Sequence, residues 1–394
     1  MEFLGYTRPQ GPAGIRNYVM VLPLVRCANE LAWTIAQGVD GVVPLMHNHA
    51  CLRLGADNER AKKTFIGLGK NPNVGGVVVA GFGCENVSPE EVADAIAMTG
   101  KPVELVQLDK EGAFRLAAES GRTAARSLIR HVSRIPREPH PIAELTVGVK
   151  CGGSATISAL TGHPATGYVL DALINEGGTA IFTETAEVIG AEHIMARRAI
   201  DEEVRTRLLN IVGRFEKMIL GQGVDIRGSQ PNPGNIQAGL STLEEKSLGA
   251  MYKTGSRPLT GVLEYAEAPS GPGLHFMDST AWTPQLMLGM AAAGAQAFIF
   301  SAGGGMSAKA PGQPGAGRVP VVPVLKVTGD PNVKHDLEFI DVYAGGIIEG
   351  TEEVQDVGRR FLTELLAVAS GKVTKQEYSP YREILDMWAT GPLL

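Results

Sequence analysis

Leu145-Thr146-Val147-Gly148-Val149-Lys150-Cys151-Gly152-Gly153, followed by Ser154, is the stretch on which the reading of this chain turns. A short valine-rich apolar run predicts a buried strand, and the glycine pair behind it predicts a tight turn into the next element. Lys150 and Cys151 then stand at the carboxyl end of a strand. In open α/β sheets ligands bind at that edge, because the loops leaving it form a crevice faced by free backbone N–H groups. The other three cysteines repeat the arrangement: Cys27 follows the run Tyr18 to Val25, Cys51 follows Gly41 to Met46 by a short loop, and Cys84 follows Val77 to Gly83. Cysteines placed only for packing would be scattered through element interiors. Their placement after strands predicts that Cys51, Cys84 and Cys151 converge in one cleft.

Outward from that strand, short apolar runs alternate with longer segments that have one polar face. Strands are predicted at 18–25, 41–46, 75–81 and 103–108, with helices near 28–37, 57–68, 89–98 and 111–131. Ile135-Pro136-Arg137-Glu138-Pro139-His140-Pro141 reads as a linker. Beyond it come helices near 164–176 and 352–370, a long helical segment at 190–220, and strands near 178–183, 261–265, 297–301 and 321–327. Such alternation predicts parallel βαβ units. The expected fold class is α/β with two domains, each a mainly parallel sheet flanked by helices: residues 1–137, with a surface for dimerising, and a Rossmann-like catalytic domain over 142–394. Residues 221–240, rich in Gly, Pro, Asn and Ser, read as an ordered functional loop.

The 394 residues carry a net charge of −6 with no basic run, which argues against nucleic acid or an anionic membrane as the main partner. A small anionic substrate needs only a local cluster of cations. The N-terminus has no basic segment leading into an apolar run, and four cysteines are too few for a disulfide framework, so a reducing cytoplasm is the expected location. Residues 279–308 lack charge, but Pro284, Gly289, Gly294 and Gly303 to Gly305 divide them into a helix, a turn and a buried strand rather than a membrane span. Weakly charged, glycine-rich stretches such as 286–306 leave apolar surface, which predicts an oligomer.

For chemistry, His47 and Cys51, with His49 between them, have the most metal-like local spacing, since imidazole and thiolate both suit iron or zinc. Glu184, Glu187, Glu192 and His193, after a predicted strand, form a rival set for a harder cation. Glu244 and Glu245 fit equally well as first-turn acids of a helix capped by Ser241 or Thr242. Glycine turns at Gly152-Gly153, Pro233-Gly234-Asn235 and Gly303-Gly304-Gly305 offer N–H groups to an anion. None follows the dinucleotide fingerprint, so no nicotinamide cofactor is expected. Lys150, Lys246, Arg16 and Lys326 are candidates for holding a substrate carboxylate or for acid–base work.

The same residues carry a family resemblance along nearly the whole chain. Gly5-Tyr6 with Arg8, Gly14-Ile15-Arg16-Asn17-Tyr18, Asn71-Pro72-Asn73-Val74, Gly83-Cys84-Glu85, Lys150 to Ser154, Glu184 to Glu187 with Gly190 to His193, Pro233-Gly234-Asn235, Leu243 to Gly249 and Gly273 to Asp278 resemble, in order, the altronate/galactarate dehydratases. Full-length members carry an N-terminal β-clip domain that has no counterpart in this sequence. The resemblance implies iron-dependent dehydration, with Fe2+ the expected metal and His47, Cys51, Cys84, Cys151, Glu184 and Glu187 the expected metal ligands. Substrate is expected at Arg16, Gly152, Gly153, Ser154 and Asn235. The sequence departs from the family at Ala155, at His163-Pro164 where Asn-Pro is usual, and at Ser301 to Gly305 where Thr-Gly-Arg-Gly is usual.

Dehydrating a 2,3-dihydroxy acid requires a base for the proton beside the carboxylate, a charge for the enediolate, and an acid for the departing hydroxyl. Lys150 or Lys246 is the expected base, and His47 or His193 the expected acid. Two alternatives stand beside the sugar-acid dehydratase. One is the large subunit of a (2R)-sulfolactate sulfo-lyase, which the free-standing chain and Arg53 to Asp57 also resemble. The other is a non-catalytic binding protein on the same fold. A separate small β-clip subunit is expected to complete the site.

Overall fold

In the computed structural model, residues 1–303, 318–334, 337–378 and 384–392 are described. Gly304 and Gly305, and with them the third glycine turn, lie outside these residues. The strands are β1 Glu2–Tyr6, β2 Tyr18–Pro23, β3 Val42–Pro44, β4 Val74–Gly81, β5 Val103–Gln107, β6 Arg137–Pro141, β7 Thr146–Gly152, β8 Thr179–Phe182, β9 Leu259–Leu263, β10 Gly273–Met277, β11 Ala297–Ala302, β12 Val324–Thr328 and β13 Val342–Tyr343. They form a four-stranded sheet ordered β3-β2-β4-β5 and a seven-stranded sheet ordered β13-β12-β11-β7-β8-β10-β9. Every pairing within these two sheets is parallel. Helices flank both, so the fold is α/β with two mainly parallel sheets and a Rossmann-like C-terminal half.

β4 and β7 show why the chain folds this way. All eight residues of β4 are buried, as are Val147 to Cys151 of β7, because helices or a neighbouring layer cover both faces of a parallel sheet. In the larger sheet the chain leaves β7 toward β8, β10 and β9 on one side, then returns to lay β11, β12 and β13 on the other. The order therefore reverses beside β7, where a doubly wound sheet opens its ligand crevice.

The proline-rich segment differs from expectation. Arg137–Pro141 is a strand paired antiparallel with β1 in a two-stranded ribbon. Proline cannot donate to a ladder, but a ribbon has a free edge on each strand, which accommodates Pro139 and Pro141. The helical segment at 190–220 is also two helices, Glu192–Ala196 and Glu202–Leu220, the second capped by Asp201. The uncharged stretch folds as a helix, Thr283–Ala292, followed by β11. Among the described residues no helix is long and apolar enough to cross a membrane.

The two halves share their cores. Helix Gly55–Lys70 packs on helix Thr283–Ala292, and a Cβ on Gly67 would lie 2.3 Å from the carbonyl oxygen of Ala292. Only glycine allows that approach. Phe3, Ala13 and Ile15 pack into the core of the larger sheet, while Leu385, Met387 and Trp388 pack with residues of the smaller one.

Candidate active site

Cys151 ends the buried part of β7, and its sulfur is the hub of a buried cluster. Its thiol lies 3.0 Å from Glu187 Oε2 and 3.5 Å from Glu184 Oε2, while its backbone N–H donates to Glu184 Oε2 at 3.1 Å. Lys253 Nζ stands 2.9 Å from the sulfur and donates to Glu184 Oε2 at 2.7 Å. Lys246 pairs with Glu187 Oε1 at 3.1 Å and donates to Gln230 Oε1 at 2.9 Å. Lys150 lies 3.7 Å from Glu184 Oε1, donates to Thr283 Oγ1 at 2.6 Å and sits over the Phe300 ring. Lys326 faces the same ring at 5.5 Å. Around Cys151, three lysines thus meet two glutamates, a local excess of positive charge in a buried place.

The local structure holds these groups under strain. Glu184 has φ 78° and ψ 65°, a left-handed conformation costly for a side chain of its size. The turn after it is clamped by Asp278, which accepts from Thr185 Oγ1 at 2.7 Å, and by exchange between Thr185 and Ser279. The motif ending at Asp278 is therefore a brace for the glutamate turn. Gly153 has φ 60°, and a Cβ on Gly152 would lie 2.6 Å from the Phe300 ring, so the glycine pair is required by both turn and ring. Asn235 donates to the Ser154 carbonyl at 2.9 Å and so fixes the loop after β7, and Ser154 Oγ stands 3.9 Å from the sulfur.

Burial raises the Cys151 thiol pKa, and the two glutamates raise it further. Burial opposes the charge on Glu187, but Lys246 and Lys253 outweigh it and hold the carboxyl low. Burial likewise opposes the charge on Lys246 and Lys253, and their anionic neighbours overcome it, so both stay ammonium ions. Lys326 differs: burial, then Arg318 and Lys150, bring it down to about 8 against the pull of Asp341. His163, buried beside Lys253, is lowered to about 4 by burial. Its Nδ1 contacts the Gly249 carbonyl at 2.8 Å, so that nitrogen carries the proton and Nε2 is a buried lone pair without a partner among the described residues.

Of the expected metal ligands, Cys151, Glu184 and Glu187 come together, with one donor atom of each within 4.8 Å of the others. Thiolate with carboxylates suits a divalent transition metal. The Lys253 ammonium lies against the same sulfur and the same Glu184 oxygen, so it competes with any ion there. Cys51 and Cys84 do not join this group: the sulfurs of Cys51, Cys84 and Cys151 do not gather within reach of one ion. Instead burial, then Cys51 and Cys27, push the Cys84 thiol up to about 11.

Other expected site residues are placed apart from the cluster. His47 is buried with Nε2 2.6 Å from the Pro23 carbonyl and Nδ1 accepting from the His49 N–H, so both ring nitrogens are occupied by backbone. Its ring is kept neutral, lowered to about 4 by burial, and is poorly suited to be an acid or a ligand. His193 is exposed on helix Glu192–Ala196. Arg16 spends all five N–H donors on protein, pairing twice with Glu377 and reaching the carbonyls of Ile15, Val368 and Lys372. It is a clamp between N-terminal and C-terminal segments, with no donor left for substrate. Glu245 accepts from the Ser241 N–H and Glu244 meets Arg227, with Thr242 as the N-cap, so this pair is structural. Lys253 was not anticipated, because a lysine after a helix and before Gly255 reads as an ordinary helix end.

Fold and site together define a two-sheet α/β protein with a buried cluster of lysines, glutamates and a cysteine at the carboxyl edge of its larger sheet. Comparison with known proteins agrees. The family model described as D-galactarate/Altronate dehydratase, C-terminal, matches residues 142–392, and D-galactarate dehydratase/Altronate hydrolase, second domain, matches 5–133. The chain belongs to the galactarate/altronate dehydratase family. It is 38% identical to the (2R)-sulfolactate sulfo-lyase subunit beta of Chromohalobacter salexigens, over 97% of this chain and 96% of that one. It is 32% identical to the altronate dehydratase of Bacillus subtilis, over 97% of this chain and 76% of that one. With the galactarate dehydratase (L-threo-forming) of Escherichia coli it shares 33% identity over 79% of this chain and 59% of that one.

Proposed function

We propose that the chain is the large subunit of a lyase that eliminates a group from the carbon beside the hydroxyl-bearing carbon of a small 2-hydroxy acid, through an enediolate. The observation that carries this reading is the excess of lysine over glutamate around Cys151 at the switch point of the sheet. An enediolate gathers negative charge beside the carboxylate, and fixed cations in a water-poor site stabilise it more than they stabilise the substrate. Lys246 and Lys253, held as ammonium ions, supply that charge. A divalent ion, Fe2+ in our reading, would be held by Cys151, Glu184 and Glu187 in place of the Lys253 ammonium and would supply its charge there.

The base must be neutral when it takes the proton. Lys246 and Lys253 are not, so Lys326, at about 8 and facing the Phe300 ring, is the base in this reading. The leaving group is hydroxide in a sugar-acid dehydratase and sulfite in a sulfolactate lyase. Hydroxide departs only with an acid or a metal behind it, whereas sulfite is stable as an anion. With His47 bound to backbone and His193 at the surface, neither of the expected histidines stands ready as the acid. Together with the end-to-end match to the sulfo-lyase subunit, this favours sulfite. The base removes the C2 proton, the C3–S bond breaks with its electron pair leaving as sulfite, and the enol gains a proton at C3 while its hydroxyl gives one up, leaving the 2-keto acid.

A small β-clip partner completes the site in this reading. The experiment is to assay the chain alone and co-purified with a β-clip protein, anaerobically with and without Fe2+, against sulfolactate, altronate and galactarate. Pyruvate and sulfite released in equal amounts from sulfolactate support the sulfo-lyase, and a 2-keto sugar acid supports the dehydratase. No turnover of any of the three, with partner and iron present and the chain folded, would refute the lyase.

A further inference from the structure

Two buried polar atoms on the Cys151 side of the larger sheet have no hydrogen-bond partner among the described residues: His163 Nε2 and Ser301 Oγ. Buried polar groups are almost always paired, so each such atom calls for an account. Ser301 stands opposite Cys151 in the pairing of β11 with β7, and residues in register on neighbouring strands point to one face. His163 lies in the first turn of helix Gly162–Asn175, directly after Gly162, where a Cβ would stand 2.9 Å from Ser301 Oγ. Further along, the same helix meets the turn that carries Lys253: a Cβ on Gly167 would lie 2.5 Å from the Tyr252 carbonyl oxygen. His163 is thus wedged, 2% exposed, between Ser301 and the Lys253 turn, and it feels the charges of Lys253 and Glu187.

The ring can act in only one way. Nδ1 spends its proton on the Gly249 carbonyl, so Nε2 is an acceptor with nothing to accept. The other acceptors of the cluster are taken. Glu184 Oε2 receives Lys253 and the Cys151 N–H, while Glu184 Oε1 faces Lys150. Glu187 Oε1 faces Lys246, and Glu187 Oε2 meets the Cys151 thiol. The lysine ammonium groups suit the anionic ends of a substrate, but they accept nothing. Every 2-hydroxy acid brings one donor to such a site, the O–H on C2.

We propose that His163 Nε2 accepts a hydrogen bond from the 2-hydroxyl of the substrate, which makes His163 the residue that separates 2-hydroxy acids from acids without that hydroxyl. The inference rests on the lyase reading above and names the group that reads the substrate. A site built to pair a substrate hydroxyl rejects the analogue lacking it, because the buried partner is then left unpaired. Holding the hydroxyl also fixes rotation about the C1–C2 bond, and with it the direction of the C2 proton that the base removes. No bond forms or breaks at His163, and its ring stays neutral.

Malate and succinate are the probes, since they share a carbon chain and two carboxylates and differ only in the 2-hydroxyl. Dissociation constants of (2R)-malate, (2S)-malate and succinate are measured by calorimetry for wild type and His163→Leu, using the full chain alone and co-purified with the β-clip protein. One malate enantiomer is expected to bind wild type at least about tenfold tighter than succinate, the order that one neutral hydrogen bond supplies. In His163→Leu malate and succinate are expected to bind within about twofold of each other, and succinate to bind as it does to wild type. The readout is a ratio, so a folded but loosened variant still reports. Should His163→Leu unfold by circular dichroism, wild type carrying nitrogen-15 histidine gives the second reading: the His163 Nε2 resonance is expected to shift with malate and not with succinate. A malate preference that survives in His163→Leu would overturn the assignment, as would a wild type that prefers neither acid or binds neither, or an Nε2 resonance that malate leaves in place. Turnover in the lyase assay without this preference would remove His163 and leave the lyase standing, whereas a preference carried by His163 without turnover would do the reverse.

Discussion

Lys253 Nζ lies 2.9 Å from Cys151 Sγ, and the same ammonium donates to Glu184. A buried lysine at the centre of a thiol and two carboxylates does the electrostatic work of a bound cation. Replacing it with methionine removes the charge and leaves Glu184 buried beside an uncompensated neighbour.

Lys253→Met is therefore expected to lower stability by about 3–5 kcal/mol, the scale for breaking a buried pair. Divalent metal should restore part of that loss, because the ion then meets no competing ammonium. Thermal unfolding with and without Mn2+ checks this: the melting temperature of the variant should rise with metal, and that of the wild type should rise much less.

The position of Lys326 makes the proposed reaction depend on pH. Below about 8 this lysine is charged and cannot accept a proton, so kcat/KM should climb as pH rises toward 8 and level off above it. Lys326→Met should lose that ionisation and roughly a hundredfold or more in kcat. A pH–rate profile of the active complex on its best substrate measures both.

Arg16 should act on stability and not on substrate. Breaking its buried pairing with Glu377 by Arg16→Gln is expected to cost roughly 3 kcal/mol. The KM of the folded variant should stay within twofold of wild type. A KM raised tenfold with stability unchanged would return Arg16 to the substrate.

Acid should destabilise the fold through its buried histidines. The unfolded chain takes up protons near the ordinary histidine pKa of about 6.5, whereas folded His47 and His163 refuse them until about 4. Stability is thus fully present above about 6.5 and falls as pH drops toward 4, by up to about 3 kcal/mol for each group. Denaturant titrations from pH 7 to pH 4 should show the slope, and His163→Asn should make it shallower.

Much of the fold was legible because β2, β4, β7 and β11 are runs that only a doubly covered sheet can bury. β10 was missed, since Gly273 to Met277 sits between a glycine-rich loop and Asp278 and carries a histidine in its middle. β6 was hidden by its prolines, which a two-stranded ribbon tolerates and a sheet interior does not. In the site, Cys151, Glu184, Glu187, Lys150 and Lys246 were legible from their position after strands or within ordered motifs. Lys253 was not, because its role comes from long-range packing: it lies 102 residues from the thiol it contacts. His47 misled for the opposite reason, since local spacing to a cysteine says nothing about which nitrogens the backbone already holds.

The crossed packing of the chain's outer segments bears on how the protein is made. Phe3 and Ile15 belong to the core of the larger sheet, while Leu385, bonded to Met46 and Asn48 just past β3, belongs with the smaller one. On the ribosome, the first sheet emerges long before residues 385–388 are synthesised, and the first strand waits for β6. Neither half has its full apolar cover until residues 385–388 are made, so until then the nascent chain exposes a half-closed apolar sheet of the kind that aggregates.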